Sequence, residues 1–401
     1  MDSNQSAFFE AKRIHGEIET LKSENIISFL SRNNIIPKYG FPVDCVELKT
    51  TDNNYKKTPL RLQRDMKIAV SEYAPDSQII ADGMMYTSRY IAKPPNNNHD
   101  WKIYDYGVCN NLSCGNTNIK IHSFDTDKSM WECAFCNDRV TLKGAFIIPE
   151  FGFISEINPE KAYTKQPKKN YSGNVFYIGN RNNEQNIKRK KYNINGEEID
   201  LLSSVNDELL IMSVSDFYVC PVCGYAKKVS NPYAITKKTE NDTHITPYGK
   251  KCINRTMRLY SLGHTFRTDV VRLDFYKELD KNTKLSVLYA LLEGISRYLK
   301  IERTDIDGCV QSIMTEKGYC TSFIIFDNVP GGAGHVSRIC ELDNNDFQNI
   351  LCSSFNVVNK CTCGGEKRDT ACYNCLWNYS NQRIHNSLNR GMAIDFLKIY
   401  V

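Results

Sequence analysis

Residues 323–336 read FIIFDNVPGGAGHV. Four apolar residues lead to Asp327, a Pro-Gly-Gly-Ala-Gly turn follows, and a helix is expected to begin near His335. FIIFD (323–327) is too short and too continuously apolar for an exposed strand, so it predicts a strand buried in a mixed sheet. Upstream, Leu285, Leu288, Leu291, Leu292, Ile295 and Leu299 recur at helical spacing, which predicts an amphipathic core helix over 284–300. A final helix is expected over 388–400. Strand, turn and flanking helices make the last third a mixed α/β unit.

The rest of the chain is read against that unit. Residues 61–92 predict a short helix, a turn at Pro75 and two strands around Ile79–Ile80 and Met85–Tyr86, with Asp82-Gly83 as the hairpin turn. Nearer the N-terminus, helical periodicity around Ile26, Ile27 and Phe29 breaks at IIPKYGFPVD (35–44), where Pro37, Gly40 and Pro42 stop a helix. The expected organisation is an N-terminal α+β region (1–100), a zinc-ribbon insert (101–150), a basic stretch with a second zinc-knuckle module (151–275) and a zinc-binding α/β domain (276–401). The fold class is therefore α+β, with inserted zinc-ribbon and zinc-knuckle modules.

Sixteen cysteines in 401 residues need a physical reason. The N-terminus is polar and charged and carries no secretory signal, so the thiols are expected to stay reduced in a cytoplasmic protein and to bind metal. Cys109-x4-Cys114 and Cys133-x2-Cys136 read as a four-thiolate zinc ribbon; each pair sits on a tight knuckle, and a filled tetrahedron leaves no open position for catalysis. Cys361-x-Cys363-x8-Cys372-x2-Cys375 reads as a second such site, with Gly364-Gly365 allowing the reversal. Cys220-x2-Cys223 is a knuckle whose third ligand is Cys252; the fourth is His244 or His264, and His244 is preferred because it lies in the same loop-like stretch. Cys45, Cys309, Cys320, Cys340 and Cys352 are expected to be, for the most part, small buried hydrophobes.

Composition sets the outer limits. Hydrophobic residues make up 41% and charged residues 24%, which excludes wholesale disorder, and no apolar run reaches the roughly 18–20 residues of a membrane span. The formal charge is +5. Two four-cysteine zinc sites at −2 each and one three-cysteine, one-histidine site at −1 would cancel it, so local charge must carry any argument about partners. The strongest local excess is at 161–192: nine basic residues against Glu184 alone, interleaved with Tyr163, Tyr171, Phe176, Tyr177 and Tyr192. Lys165, Lys168, Lys169, Arg181, Lys188, Arg189, Lys190 and Lys191 are its candidate nucleic-acid contacts, with a solvated loop as the structural alternative. No GxxxxGK[ST] loop, HExxH or GxSxG occurs. PGGAGH has no lysine for a phosphate cradle, and Asp269 and Asp327, each ending a strand-like run, are the only candidates for metal-dependent hydrolysis.

FDNVPGGAGHV (326–336) followed by CTCGGEKRDTACYNCLWNYSNQRIHNSLNRGMA (361–393) resembles the C-terminal zinc-binding (MZB) domain of MrfA-type superfamily 2 helicases, which also occurs in the DrmB subunit of the DISARM anti-phage system. IIPKYGFPVDCVEL (35–48), RDMKIAVSEYAPDSQIIADGMMYTSRYI (64–91) and LGHTFRTDVVRLDF (262–275) extend the resemblance over nearly the whole chain. It implies one zinc on Cys361, Cys363, Cys372 and Cys375, and its most specific part is that cluster followed by Asn381 and Arg390. The chain departs from MrfA-type proteins in having no motor. The expectation is a non-catalytic accessory protein holding two to three structural zinc ions, binding DNA and partnering a superfamily 2 helicase, as DrmB partners DrmA, with the start at Met1 favouring a separate subunit over the C-terminal part of a longer helicase. The alternatives are a metal-dependent nuclease and a structural scaffold that never touches DNA.

Overall fold

The computed structural model describes residues 44–50, 60–94, 101–123, 131–162, 167, 173–179, 187–230 and 239–401. The periodicity around Ile26 and the break at 35–43 lie outside them. The chain forms two compact units, one drawn from Met1–Ile103, Ile147–Asn170 and Ser215–Leu262, the other from Tyr104–Phe146, Tyr171–Val214 and Gly263–Val401.

In the first unit, β1 (Cys45–Lys49), β2 (Leu62–Asp65), helix α1 (Met66–Glu72), β3 (Gln78–Ala81) and β4 (Met84–Ile91) come first in sequence. With β8 (Phe153–Ser155) they form a sheet in the order β2-β1-β8-β4-β3, and β9 (Glu160–Lys161) pairs with β4. The β3–β4 hairpin turns on Asp82 and Gly83, both at positive φ, as a tight two-residue hairpin turn requires. Asp65 caps α1 by accepting from the Lys67 N–H. A smaller ladder joins β13 (Phe217–Val219), β14 (Ala226–Lys228) and β15 (Thr239–Asn241) to the first residues of β16 (Thr256–Phe275).

In the second unit, β5 (Ile103–Cys109), β6 (Thr117–Ile121), β7 (Val140–Ile147), β10 (Asn174–Tyr177), β11 (Ile187–Ile194) and β12 (Glu197–Met212) share a sheet with the rest of β16 and with the hairpin β17 (Ile306–Thr315) and β18 (Gly318–Asp327). Three helices, α2 (Lys281–Leu299), α3 (Asn344–Asn359) and α4 (Arg390–Leu397), complete the core. Asp280 caps α2 through the N–H groups of Asn282 and Thr283. Gly294 lets α2 and α3 touch: a Cβ there would lie 2.0 Å from Ser354 Oγ. The ring of Tyr192 stacks on Phe347 at 4.0 Å, and Phe275 packs edge-on against Phe323, Phe396 and Tyr400. Each of these buried side chains contributes roughly 1.5–3 kcal/mol of transfer free energy.

The result is a strand-rich mixed α/β protein, and among the described residues no helix is long and apolar enough to cross a membrane. FIIFD is the buried end of the ten-residue β18. The turn after it leads into a short 3-10 helix (Val336–Glu341). Residues 187–192 of the basic stretch lie on β11, a strand paired along its length with β12, so this part of the stretch is sheet and not loop.

Candidate metal centres

The protein brings together three groups of side chains whose ligand atoms lie within 4.8 Å of one another: Cys109, Cys114, Cys133 and Cys136; Cys220, Cys223, His244 and Cys252; Cys361, Cys363, Cys372 and Cys375. All eleven cysteines in them are free thiols. A tetrahedral zinc with bonds of about 2.3 Å sets its sulfurs ~3.8 Å apart. The contacts found are 3.4 Å for Cys109–Cys136, 3.7 Å for Cys114–Cys133, 3.9 Å for Cys220–Cys252 and 3.5–3.9 Å within the third group. A disulfide would bring sulfurs to about 2 Å.

The first group closes two turns onto each other. Cys109 ends β5, Cys114 follows in the turn to β6, and Cys133 and Cys136 precede β7. Gly115 and Asn137 take the positive φ each knuckle needs. The N–H groups of Asn111 and Phe135 donate to Cys109 and Cys133, and the buried Asn118 amide donates to Cys133 Sγ at 3.4 Å while accepting from the Ala134 N–H. Burial raises the Cys133 thiol, but the N–H groups of Phe135 and Cys136 and the Asn118 amide outweigh it and bring it to about 7.

The second group sits between β13 and β14 and the hairpin that begins at His244. Gly224 allows the knuckle, since a Cβ there would strike Ile91 O at 2.1 Å. His244 is buried; its Nδ1 lies 3.3 Å from Asp242 O, and its Nε2 has no hydrogen-bond partner. This is the arrangement of a ligating histidine, with one ring nitrogen fixed by a carbonyl and the other left for metal. The Tyr225 ring stacks on it at 4.6 Å. Hydrogen bonding from Cys223, helped by the Asn254 amide and the N–H groups of Val222 and Cys223 and opposed by burial, lowers the Cys220 thiol to about 4. His264 lies on β16, outside the group.

The third group follows α3. Arg390, 4% exposed, donates to the carbonyls of Cys363 at 2.6 Å, Gly365 at 3.1 Å and Val358 at 3.3 Å. Among the described residues no carboxylate pairs with it. A buried guanidinium without an anion is costly, and a zinc tetrathiolate of charge −2 beside it would supply the anion. Asn381, also buried, donates to Leu376 O and accepts from the Asn378 N–H, holding the loop beyond Cys375. All three sites therefore suit zinc as a structural ion that ties loops together.

Asp269 and Asp327 have another task. Asp327 accepts from the N–H groups of Ala333, His335 and Val336, and Asp269 from those of Asn206 and Gly334. Gly332 presses on the Asp269 carboxylate so closely that a Cβ would lie 2.5 Å from its Cγ. The PGGAG turn thus wraps two internal carboxylates where a phosphate cradle would wrap a ligand. Asp269 lies within β16, not at the end of a strand.

Of the candidate nucleic-acid residues, Lys165, Lys168, Lys169 and Arg181 lie outside the described residues. Lys188 pairs with Glu341, Lys190 donates to the carbonyls of Cys340 and Leu342, and Lys191 pairs with Glu198 and Asp200. Arg189 is exposed on β11 and lines a cavity of about 760 Å³ with Tyr177 and Asp207. Of the isolated cysteines, Cys320 and Cys340 are buried and Cys309 and Cys352 half-buried, whereas Cys45 is exposed. The thiolate donors Asn118 and Asn254 were not legible in the sequence, because nothing in cysteine spacing marks them.

Residues 287–376 match the MrfA Zn-binding (MZB) domain family. The match takes in most of α2, the β17–β18 hairpin, α3 and the third cysteine group. The chain is also 22% identical, over 429 aligned positions, to the Druantia protein DruE of Escherichia coli (strain UMEA 4076-1), covering 94% of this chain and 22% of DruE. It thus spans about a fifth of the length of that curated relative. A crystal structure of the DUF1998 helicase MrfA bound to DNA is similar over 88% of this chain and 34% of that one, at 10% identity and a TM-score of 0.35.

Proposed function

We propose that the chain is a zinc-stabilised accessory module, without a catalytic step of its own, that binds DNA and works with a superfamily 2 helicase in anti-phage defence. The observation that carries this is the MrfA-type zinc-binding domain at 287–376, set beside the similarity to DruE along 94% of the chain. Three zinc ions per chain would hold loops with little apolar surface, so metal binding there is folding energy. The motor belongs to a partner subunit or to another part of a longer polypeptide. A DISARM-type system, whose DrmB subunit the sequence resembles, is the finer form of the same proposal.

No hydrolytic step is assigned to Asp269 or Asp327. What supports this is that their oxygens are engaged by five backbone N–H groups. The reading is tested by fluorescence anisotropy of the zinc-loaded chain with single- and double-stranded DNA across a salt series. Affinity falling steeply with salt is expected. Absence of binding at low salt would overturn DNA binding and leave a docking scaffold.

A further inference from the structure

We propose that the hairpin and turn at 246–258, held by the second cysteine–histidine group, form a contact surface for a DNA strand, with Lys250, Lys251 and Arg255 on its phosphates and Tyr248 and Ile253 against its bases. This rests on the DNA-binding reading and says where the contact lies.

Charge comes first. From Thr243 to Thr268 there is no Asp or Glu, and Lys250, Lys251, Arg255, Arg258 and Arg267 fall within that run. Lys250, Lys251 and Arg255 are all exposed, and among the described residues none pairs with a carboxylate. The nearest acids in sequence, Glu240 and Asp242, face Lys227 at 3.3 and 3.4 Å. A filled three-cysteine, one-histidine site carries only −1, so these three cations exceed what the metal centre needs. This separates them from Lys188, Lys190 and Lys191, which are held by their own unit.

Rigidity comes second. The Thr246 N–H donates to Lys250 O at 2.7 Å, Gly249 turns at φ +78, and the Cys252 N–H donates to His244 O at 3.0 Å. Beyond Cys252, Asn254 donates to Cys220 Sγ at 3.3 Å and to Thr256 O at 2.7 Å, and Arg255 O accepts from the Asp242 N–H. A backbone fixed on both sides of the ligands loses little entropy when a ligand is gripped.

The apolar groups come third. Tyr248, at the hairpin tip, is 69% exposed, and Ile253, directly after the ligand Cys252, is 92% exposed. A tyrosine beside cations suits a strand whose base faces are open, so single-stranded DNA is the preferred form.

The test uses the full zinc-loaded chain and a single-stranded oligothymidine probe. The K250Q/K251Q/R255Q variant should lose at least tenfold in affinity at low salt, with a log K against log salt slope shallower by about 2. Its zinc content should be unchanged, because none of the three is a ligand. Y248A/I253A should keep the slope and lose the preference for single strands. If the unsubstituted chain binds DNA and the triple variant binds it equally well, the contact lies elsewhere and this inference fails while DNA binding stands. If the unsubstituted chain binds no DNA, the DNA-binding reading fails and takes this one with it. Polyglutamate binding as tight as DNA at the same salt would assign the surface to an acidic protein and overturn the inference.

Discussion

Arg390 and His244 show what a single side chain does at these centres. Arg390 is a buried cation that donates to three carbonyls and, among the described residues, to no carboxylate, so a filled anionic metal centre would supply its counter-charge. Arg390→Met should therefore lower bound zinc by about one per chain, as Cys372→Ser should, and make the product prone to aggregate; unchanged metal content by inductively coupled plasma mass spectrometry would refute the role. At the second centre, His244→Ala should release one zinc, and His244→Cys should keep it because a thiolate can take the vacated position. Loss of zinc from neither variant would return His244 to an ordinary buried histidine. These ligands were legible in the sequence because a knuckle is local: a cysteine, two residues, a cysteine and a residue tolerating positive φ say most of it. Asn118 and Asn254 reach their thiolates from other turns, and local pattern cannot see them.

At the scale of elements, the PGGAG turn and the α2–α3 crossing are the places of closest approach, where only glycine fits. Asp327→Ala would leave the N–H groups of Ala333, His335 and Val336 without their charged acceptor, at a cost of about 3 kcal/mol or more. Thermal denaturation should show the loss; an unshifted melting temperature would mean the turn holds without it. Gly294→Ala should destabilise by about 1–3 kcal/mol although alanine is the better helix former, because Ser354 occupies the space. A stabilised variant would mean the helices separate easily. The β3–β4 hairpin and α2 were readable because turn chemistry and apolar spacing agree in each. α3 was missed: NNDFQNILCSSFNVVN is rich in asparagine and serine, poor helix formers, and burial of Phe347, Ile350, Leu351, Ser354 and Val358 overrides them. That spacing was itself the signal. β12 and β16 were obscured by polar residues buried within them, Ser203, Ser204, Asp207, Thr268 and Asp269; the last three bond to Tyr177, Asp327 and Gly334 in distant segments.

At the scale of the molecule, two units are threaded from alternating segments of one chain, and each holds at least one cysteine-rich centre. Segments cut along the sequence by composition follow the cysteine clusters, whereas the units follow strand pairing between distant segments, which composition does not encode. On the proposed reading zinc is the tie that lets short loops fold between those strands, and its central claim is that all three centres hold it. The most direct measurement is native mass spectrometry of the purified chain, read together with elemental analysis. The account predicts a mass increment of three zinc ions per chain. An increment of one or none, or a different metal at these positions, would contradict it.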